Sequence, residues 1–367
     1  MNTISADAYR KALALPDLTD PAHGPHALQL LVAEATRALT SAWRCPLVVR
    51  RGSPLVSVAD NYENLLYEPD AAARDERYTR YVSPGRVLRT HTTAMIPGLL
   101  RTLAHAPYDD VLLACPGLVY RRDAIDRQHV GEPHQLDLWR IATRPLAEHD
   151  LQEMIGLVVE ALVPGAGRRA TPAVHPYTEA GREIEVRSGD RWVELGECGL
   201  ASLRVLARCG LTSHTGLAMG IGLDRALMLR KGIDDIRLLR ASDPRVSCQL
   251  LDLEPYRRVS AQPPVYRDLS IAVAETRDAE ELGDRVRADL GDEAESVEAV
   301  EIVDETAYAV LPAQAIARLG IAAGQKNMLV RVTLRHPTRT LTDAEANDLR
   351  NAIYAALHEG SVHQWAS

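Results

Sequence analysis

Phenylalanine does not occur once in these 367 residues, where ordinary usage would place on the order of ten or more. The chain has 12 Tyr and 4 Trp, so aromatic rings as such are not avoided. Drift in an alanine- and arginine-rich, GC-biased coding sequence accounts for the gap without any function. No run approaches the ~18 apolar residues of a membrane helix, and the N-terminus lacks the basic-then-apolar order of a signal peptide. Cys45, Cys115, Cys198, Cys209 and Cys248 are scattered, with no Cys-x-x-Cys and no neighbouring His pair. That pattern excludes a zinc or disulfide framework and implies free thiols in a reducing, cytoplasmic compartment. A basic excess is missing too. The net charge is −8, and residues 263–367, with 10 Lys+Arg against 18 Asp+Glu, account for all of it. This argues against tight non-specific nucleic-acid binding by the C-terminal part and leaves room only for a local basic stripe.

What is present is an ordinary globular balance, 46% apolar and 25% charged, in a chain long enough for two domains. Its organising stretch runs over 116–140. Residues 111–120 are apolar and partly β-branched, 123–132 collect Asp, Arg, His and Gly, and 134–141 alternate polar with apolar. The pattern predicts strand, polar loop, strand. Arginines, a histidine and carboxylates gathered in one loop suit a polyphosphate held beside a small zwitterion.

Leu28, Leu31, Val32, Ala35 and Leu39 predict an amphipathic helix over 26–43, followed by a strand at 46–50. The run Leu88-Arg89-Thr90-His91-Thr92-Thr93 enters a helix over 94–104. It offers donors to a carboxylate or phosphate, or it is a helix cap with Thr92 or Thr93 as N-cap. Another helix is predicted over 145–163, with Met154 in the core. Gly216-Leu217-Ala218-Met219-Gly220-Ile221-Gly222 lets a ligand approach the backbone closely, at a strand-to-helix junction. The helix from Arg225 has its stop signal at Arg230-Lys231-Gly232. Beyond a linker, strands at 265–273, 296–303 and 328–334, helices at 278–290 and 342–357, and a short closing strand at Val362 predict a ferredoxin-like βαββαβ module. The second helix opens on a Thr342-Asp343-Ala344-Glu345 capping box.

Several of these runs resemble the phenylalanyl-tRNA synthetase form of the class II aminoacyl-tRNA synthetases. Tyr120-Arg121-Arg122-Asp123, His129 and His134-Gln135-Leu136-Asp137 resemble motif 2, and 216–225 resemble motif 3. The helix and strand at 26–50 resemble the degenerate motif 1. His91 to Thr93, His175-Pro176-Tyr177 (for Phe-Pro-Phe) and Trp192 to Gly199 resemble substrate-facing runs of the family. Tyr266-Arg267-Asp268 and 338–343 resemble its ferredoxin-fold anticodon-binding domain. The resemblance implies an α+β chain: a class II catalytic domain, antiparallel sheet flanked by helices, over 1–259, a linker at 260–264, and an anticodon-binding-like domain over 265–367.

It further implies an ATP- and Mg2+-dependent ligase that forms an aminoacyl adenylate and charges tRNA, with no membrane role and a possible homodimer through motif 1. Arg121 and Arg225 become the catalytic phosphate clamps, with Asp123, His129, Gly220 and Gly222 also at ATP. His91, Thr93, Gln135, Asp137, His175, Tyr177 and Ala218 become the amino-acid site for phenylalanine or a related aromatic. Glu194 and Glu197 are candidate metal oxygens acting through the phosphates. The chain departs from the family at Ile96, Asp137, His175, Tyr177, Glu197 and Pro133. His175, Tyr177, Glu197 and Ile96, with the acidic C-terminal domain, keep open a paralogue that loads a different amino acid onto a non-tRNA acceptor. A non-catalytic relative is disfavoured by the retention of Arg121 and Arg225. In a synthetase of this kind, the missing phenylalanines would also suit expression when Phe-tRNA is scarce.

Overall fold

A computed structural model describes residues 3–106, 108–259 and 263–363. Its chain divides into two compact units. One is built on residues up to Arg121, Glu132–Ile233 and Cys248–Tyr256; the other on Arg122–Gly131, Asp234–Ser247 and the residues from Arg257 onward. The linker expected at 260–264 falls largely on residues 260–262, outside the described ones.

The first unit carries strands β1 (Leu47–Val49), β2 (Leu55–Ser57), β3 (Tyr81–Ser83), β4 (Arg86–Leu88), β5 (Asp110–Leu118), β6 (His134–Ala142), β7 (Arg168–Pro172), β8 (Thr178–Ser188), β9 (Arg191–Ala201) and β10 (Thr215–Gly222). Its helices are α1 (Ala6–Ala14), α2 (Ala27–Trp43), α3 (Val58–Asn61), α4 (Ile96–His105), α5 (Glu148–Leu162), α6 (Leu203–Arg208) and α7 (Leu223–Lys231). Seven strands form one sheet in the order β1-β5-β6-β10-β9-β8-β7. Only β1 and β5 run parallel; the other neighbours are antiparallel. The predicted helices form because their apolar spacing meets a core. Leu28, Leu31, Ala35 and Leu39 of α2 are fully buried, as are Leu151, Met154 and Val158 of α5, and the two helices pack together. α5 starts three residues later than its pattern, because Asp150 accepts the Ala147 N–H at 2.8 Å and fixes the first turn there.

β10, in the middle of the sheet, alternates sharply. Leu217, Met219 and Ile221 are buried on one face, while Gly216, Ala218, Gly220 and Gly222 occupy the other. At Gly216 a side chain would be crowded: a Cβ would lie 3.0 Å from both Ala201 Cβ and Ile141 Cδ1, so its neighbours would have to give way.

The second unit carries α8 (Pro244–Ser247), β11 (Val265–Ala274), α9 (Ala279–Leu290), β12 (Val297–Ala307), α10 (Ala313–Leu319), β13 (Gln325–Leu334) and α11 (Asp343–Leu357). The sheet order is β11-β13-β12, all antiparallel. Ile271, Val273, Leu282, Val286, Val330, Val332 and Ile353 are fully buried between sheet and helices. The capping box is present: Thr342 Oγ1 accepts the Glu345 N–H at 3.3 Å, and Glu345 Oε2 accepts the Thr342 N–H at 2.8 Å. The expected closing strand at Val362 does not form among the described residues. The Ala272 N–H donates to His358 Nδ1 at 3.0 Å instead of to a strand carbonyl, and a single backbone bond, Glu359 N–H to Ala272 O at 2.7 Å, remains.

The segment Arg122–Gly131 belongs to this unit. Ile125 is buried in its core, and the Ile125 carbonyl accepts the Val300 N–H of edge strand β12 at 3.0 Å. Arg287 of α9 donates to the carbonyls of Asp123 and Ala124. Gly283 makes that approach possible, since a Cβ there would stand 2.6 Å from the Asp123 oxygen.

Candidate active site

The small residues of β10 leave a trough in the first sheet. Gly220 lies opposite Asp137 on β6 and opposite Glu197 on β9; Ala218 lies opposite Trp139 and Gly199; Gly222 lies opposite Gln135. Cross-strand partners share a face. Two carboxylates thus flank one glycine, on opposite walls. A tight hollow lies there, lined by Asp137, His175, Tyr177, Thr178, Glu197, Cys198, Ala218, Met219 and Gly220. The structure thereby brings together five residues expected from the sequence at substrate or nucleotide, and Glu197.

On the β6 wall, Thr93 Oγ1 and Trp139 Nε1 both donate to Asp137, each at 2.5 Å. Burial nevertheless pushes the Asp137 carboxyl up to about 7. The Thr92 N–H donates to Gln135 Oε1 at 3.3 Å. Thr92 and Thr93 sit in a 3-10 turn before α4 with no side-chain cap. The cap alternative is therefore not realised, because Asp137 takes the Thr93 hydroxyl.

His91 stacks on Tyr67 with centroids 5.9 Å apart, Tyr67 lies 6.3 Å from Tyr177, and Tyr177 stacks on Trp139 at 6.2 Å. Neither ring nitrogen of His91 has a partner, and both are buried. Burial, and then the Arg121 charge, push its pKa down to about 3, so the imidazole is neutral. Arg121 donates from Nε to the Thr90 carbonyl at 2.8 Å, which fixes the guanidinium while leaving its terminal nitrogens without a partner among the described residues. Tyr67 was not read from the sequence. Its only signal was an aromatic directly after Asp60–Leu66, and burial pushes its phenol above its ordinary range.

On the β9 wall, His175 Nε2 meets Glu197 Oε2 at 2.5 Å. That hydrogen bond raises the His175 pKa. Tyr177 is buried, and its phenol is held well above its usual value, opposed in part by a hydrogen bond with Thr93.

Arg225 stands in the first turn of α7 and donates to the Glu194 carbonyl at 3.1 Å and to its Oε2 at 3.3 Å. Asp224 is structural. His134 Nε2 accepts the Leu18 N–H at 3.2 Å, so Nδ1 carries the proton and donates to Asp224 at 2.9 Å. This ties the start of α7 to the start of β6. Asp123 and His129 lie in the second unit, where His129 Nδ1 pairs with Asp126 at 2.7 Å. Among the described residues no three His, Cys, Asp or Glu side chains converge as metal ligands. Glu194 and Glu197 are engaged by Arg225 and His175 respectively. Among the described residues, these side chains do not form a protein-held metal site.

Residues 47–250 match the family described as "tRNA synthetases class II core domain (F)", and residues 260–362 match the "Ferredoxin-fold anticodon binding domain". The chain therefore belongs to the class II aminoacyl-tRNA synthetases, ATP-using ligases that work with a divalent metal. It is similar to a probable mitochondrial phenylalanine–tRNA ligase of Drosophila melanogaster, 26% identical over 83% of this chain and 76% of that protein. The chloroplastic/mitochondrial phenylalanine–tRNA ligase of Arabidopsis thaliana is 28% identical over 82% of this chain and 68% of that protein. The phenylalanine–tRNA ligase alpha subunit of Nostoc punctiforme is 31% identical over 66% and 72% respectively.

Proposed function

We propose that this protein activates phenylalanine or a closely related aromatic amino acid with ATP, and that the acyl group then passes to tRNA. The observation that carries the reading is Arg121, pinned at Nε with its fork unpartnered, beside a neutral His91 and an aromatic-lined trough. The amino-acid carboxylate attacks the α-phosphorus of ATP, and pyrophosphate leaves. A tRNA ribose hydroxyl then takes the acyl group, and AMP leaves. Charge grows on the phosphoryl oxygens in the first step, so fixed guanidinium donors lower the barrier most. Arg121 serves the α-phosphate and Arg225 the γ-phosphate.

Gly220 and Gly222 let the nucleotide approach the backbone. Gln135, Asp137 and Thr93 hold the ammonium; His91, His175, Tyr177 and Ala218 surround the side chain. Magnesium would arrive on the phosphates, and no step is assigned to a metal held by the protein. The match of 260–362 to an anticodon-binding domain supports tRNA as acceptor and does not favour a non-tRNA acceptor. Among the described residues no helix is long and apolar enough to cross a membrane. Scattered free thiols support a cytoplasmic location. Leu30, Leu47 and Val49, exposed at 40%, 39% and 42% on α2 and edge strand β1, support a homodimer through that edge. The test is amino-acid-dependent ATP–pyrophosphate exchange, followed by labelled amino acid on tRNA ends. Exchange that ignores every aromatic amino acid would sink the reading.

A further inference from the structure

The two walls of the trough differ in what they have left to offer. On the β6 wall each Asp137 oxygen accepts one hydrogen bond, from Thr93 and Trp139, and what remains is acceptor capacity alone, which suits an ammonium. On the β9 wall three polar side chains line the hollow with capacity unspent. His175 uses Nε2 on Glu197, and its Nδ1 has no partner among the described residues. Glu197 uses one carboxylate oxygen on that ring. Thr178 Oγ1 is buried with no partner at all. All three face the same hollow as Tyr177 and Ala218.

We infer that this wall reads a hydroxyl group on the ring of the substrate, so that the amino acid taken in preference is a hydroxyphenyl one. The inference rests on the proposed function, whose ammonium contacts lie on the opposite wall. A bare phenyl ring would lie against His175 Nδ1, the second Glu197 oxygen and Thr178 Oγ1 and bond to none of them, which is costly for polar atoms drawn away from water. A hydroxyl has one donor hydrogen and two acceptor lone pairs. Its O–H donates to the remaining Glu197 oxygen, and its lone pairs accept from His175 Nδ1–H and the Thr178 hydroxyl. The Glu197 contact favours the doubly protonated imidazole, in which Nδ1 is a donor. Tyr177 does not compete, because its own hydroxyl is engaged with Thr93.

The experiment is ATP–pyrophosphate exchange by the full chain with phenylalanine and with ortho-, meta- and para-tyrosine. One hydroxylated isomer is expected to exceed phenylalanine in kcat/KM by ~10-fold or more, since a site built for a hydroxyl rejects the analogue lacking it. Which isomer wins locates the hydroxyl on the ring. Glu197→Ala is expected to lower that ratio about tenfold, and the near-isosteric Thr178→Val to lower it by a smaller factor. Phenylalanine equal to or better than all three isomers overturns the inference and leaves the proposed function standing. A ratio unchanged in both variants also overturns it. Exchange with none of the four amino acids overturns the proposed function along with it.

Discussion

β10 and β13 are both the middle strands of their sheets, and both present one apolar face to a core. Leu217, Met219 and Ile221 are buried on β10, and Met328, Val330 and Val332 on β13. They differ on the other face. On β10 that face is Gly216, Ala218, Gly220 and Gly222, so the sheet has a hollow with carboxylates on either side. On β13 it is Asn327, Leu329, Arg331 and Thr333. Arg331 is bonded to Asp268 at 2.8 Å, and Asn327 accepts from Ser270 at 2.8 Å. The result is a broad groove of about 580 Å³ shared by Tyr266, Arg331, Thr333 and Glu301. A hollow that excludes water and lets backbone approach ligand suits a reaction. A wide, self-satisfied polar surface suits recognition of a large partner. The same alternation serves both, and the size of the outward residues decides which.

The largest effect that would test this contrast is at Arg121. Arg121→Ala is expected to lower pyrophosphate exchange by at least ~10²–10³-fold with an unchanged circular dichroism spectrum. Arg331→Ala, on the filled face of β13, is expected to leave exchange unaltered and raise the KM for tRNA in charging assays. If Arg331→Ala were as damaging to exchange as Arg121→Ala, the division of labour would be broken.

Next in size is Gly220→Val. A Cβ at Gly220 would stand 3.6 Å from Asp137 Oδ2, ordinary contact, so the strand accepts it. The γ-carbons then occupy the trough. Folding is expected to survive while exchange falls ~10-fold or more, since small misplacements at a reacting centre are costly. The sharper partner variant is Gly199→Ala, whose Cβ would lie 2.7 Å from Thr178 Cβ. That variant is expected to lower the melting temperature itself.

A smaller effect lies in Asp137. Its carboxyl is raised to about 7, so in the free enzyme it is largely protonated below that pH. Only the ionised form attracts the substrate ammonium. The KM for the amino acid is therefore expected to rise severalfold as pH falls from 8 to 6, and to be flat over that range in Asp137→Asn. A pH-independent KM in the parent chain would remove Asp137 as an ammonium ligand.

What could be read before the structure follows from how local the signal is. Arg121, Gln135 and Asp137 share one strand–loop–strand run, and Ala218 to Arg225 share one strand and turn, so the resemblance of two short continuous runs to the family's motifs was enough to single them out. Tyr67 could not be read, because it reaches His91 through the folding of 62–67 rather than through any spacing. The His175–Glu197 pair depends on the β8–β9 register, which shifts twice, between Glu179 and Arg182 and between Ile184 and Glu185. Thr92 and Thr93 look like caps until Asp137, 44 residues on from Thr93, takes the hydroxyl. Ile125 is the largest apolar residue inside a polar loop, and it marks the segment that joins the second unit's core. The lost closing strand turns on His358, whose ring nitrogen takes an N–H that the pattern assigned to backbone.

The smallest effect closes the comparison from the other side. Thr342→Ala removes the hydroxyl that accepts the Glu345 N–H and unties half of the capping box on α11. An N-cap threonine is worth ~1 kcal/mol, and α11 covers the apolar side of the second sheet through Leu349, Ile353 and Leu357. The expected outcome is a modest loss in denaturant midpoint with exchange kinetics unchanged per folded molecule. Charging should weaken only as far as the second unit is partly unfolded, so lowering the temperature should restore it. An exchange rate that fell at full folding would mean that the filled sheet contributes to the chemistry of the hollow one, and the contrast between β10 and β13 would have to be redrawn as a single coupled site.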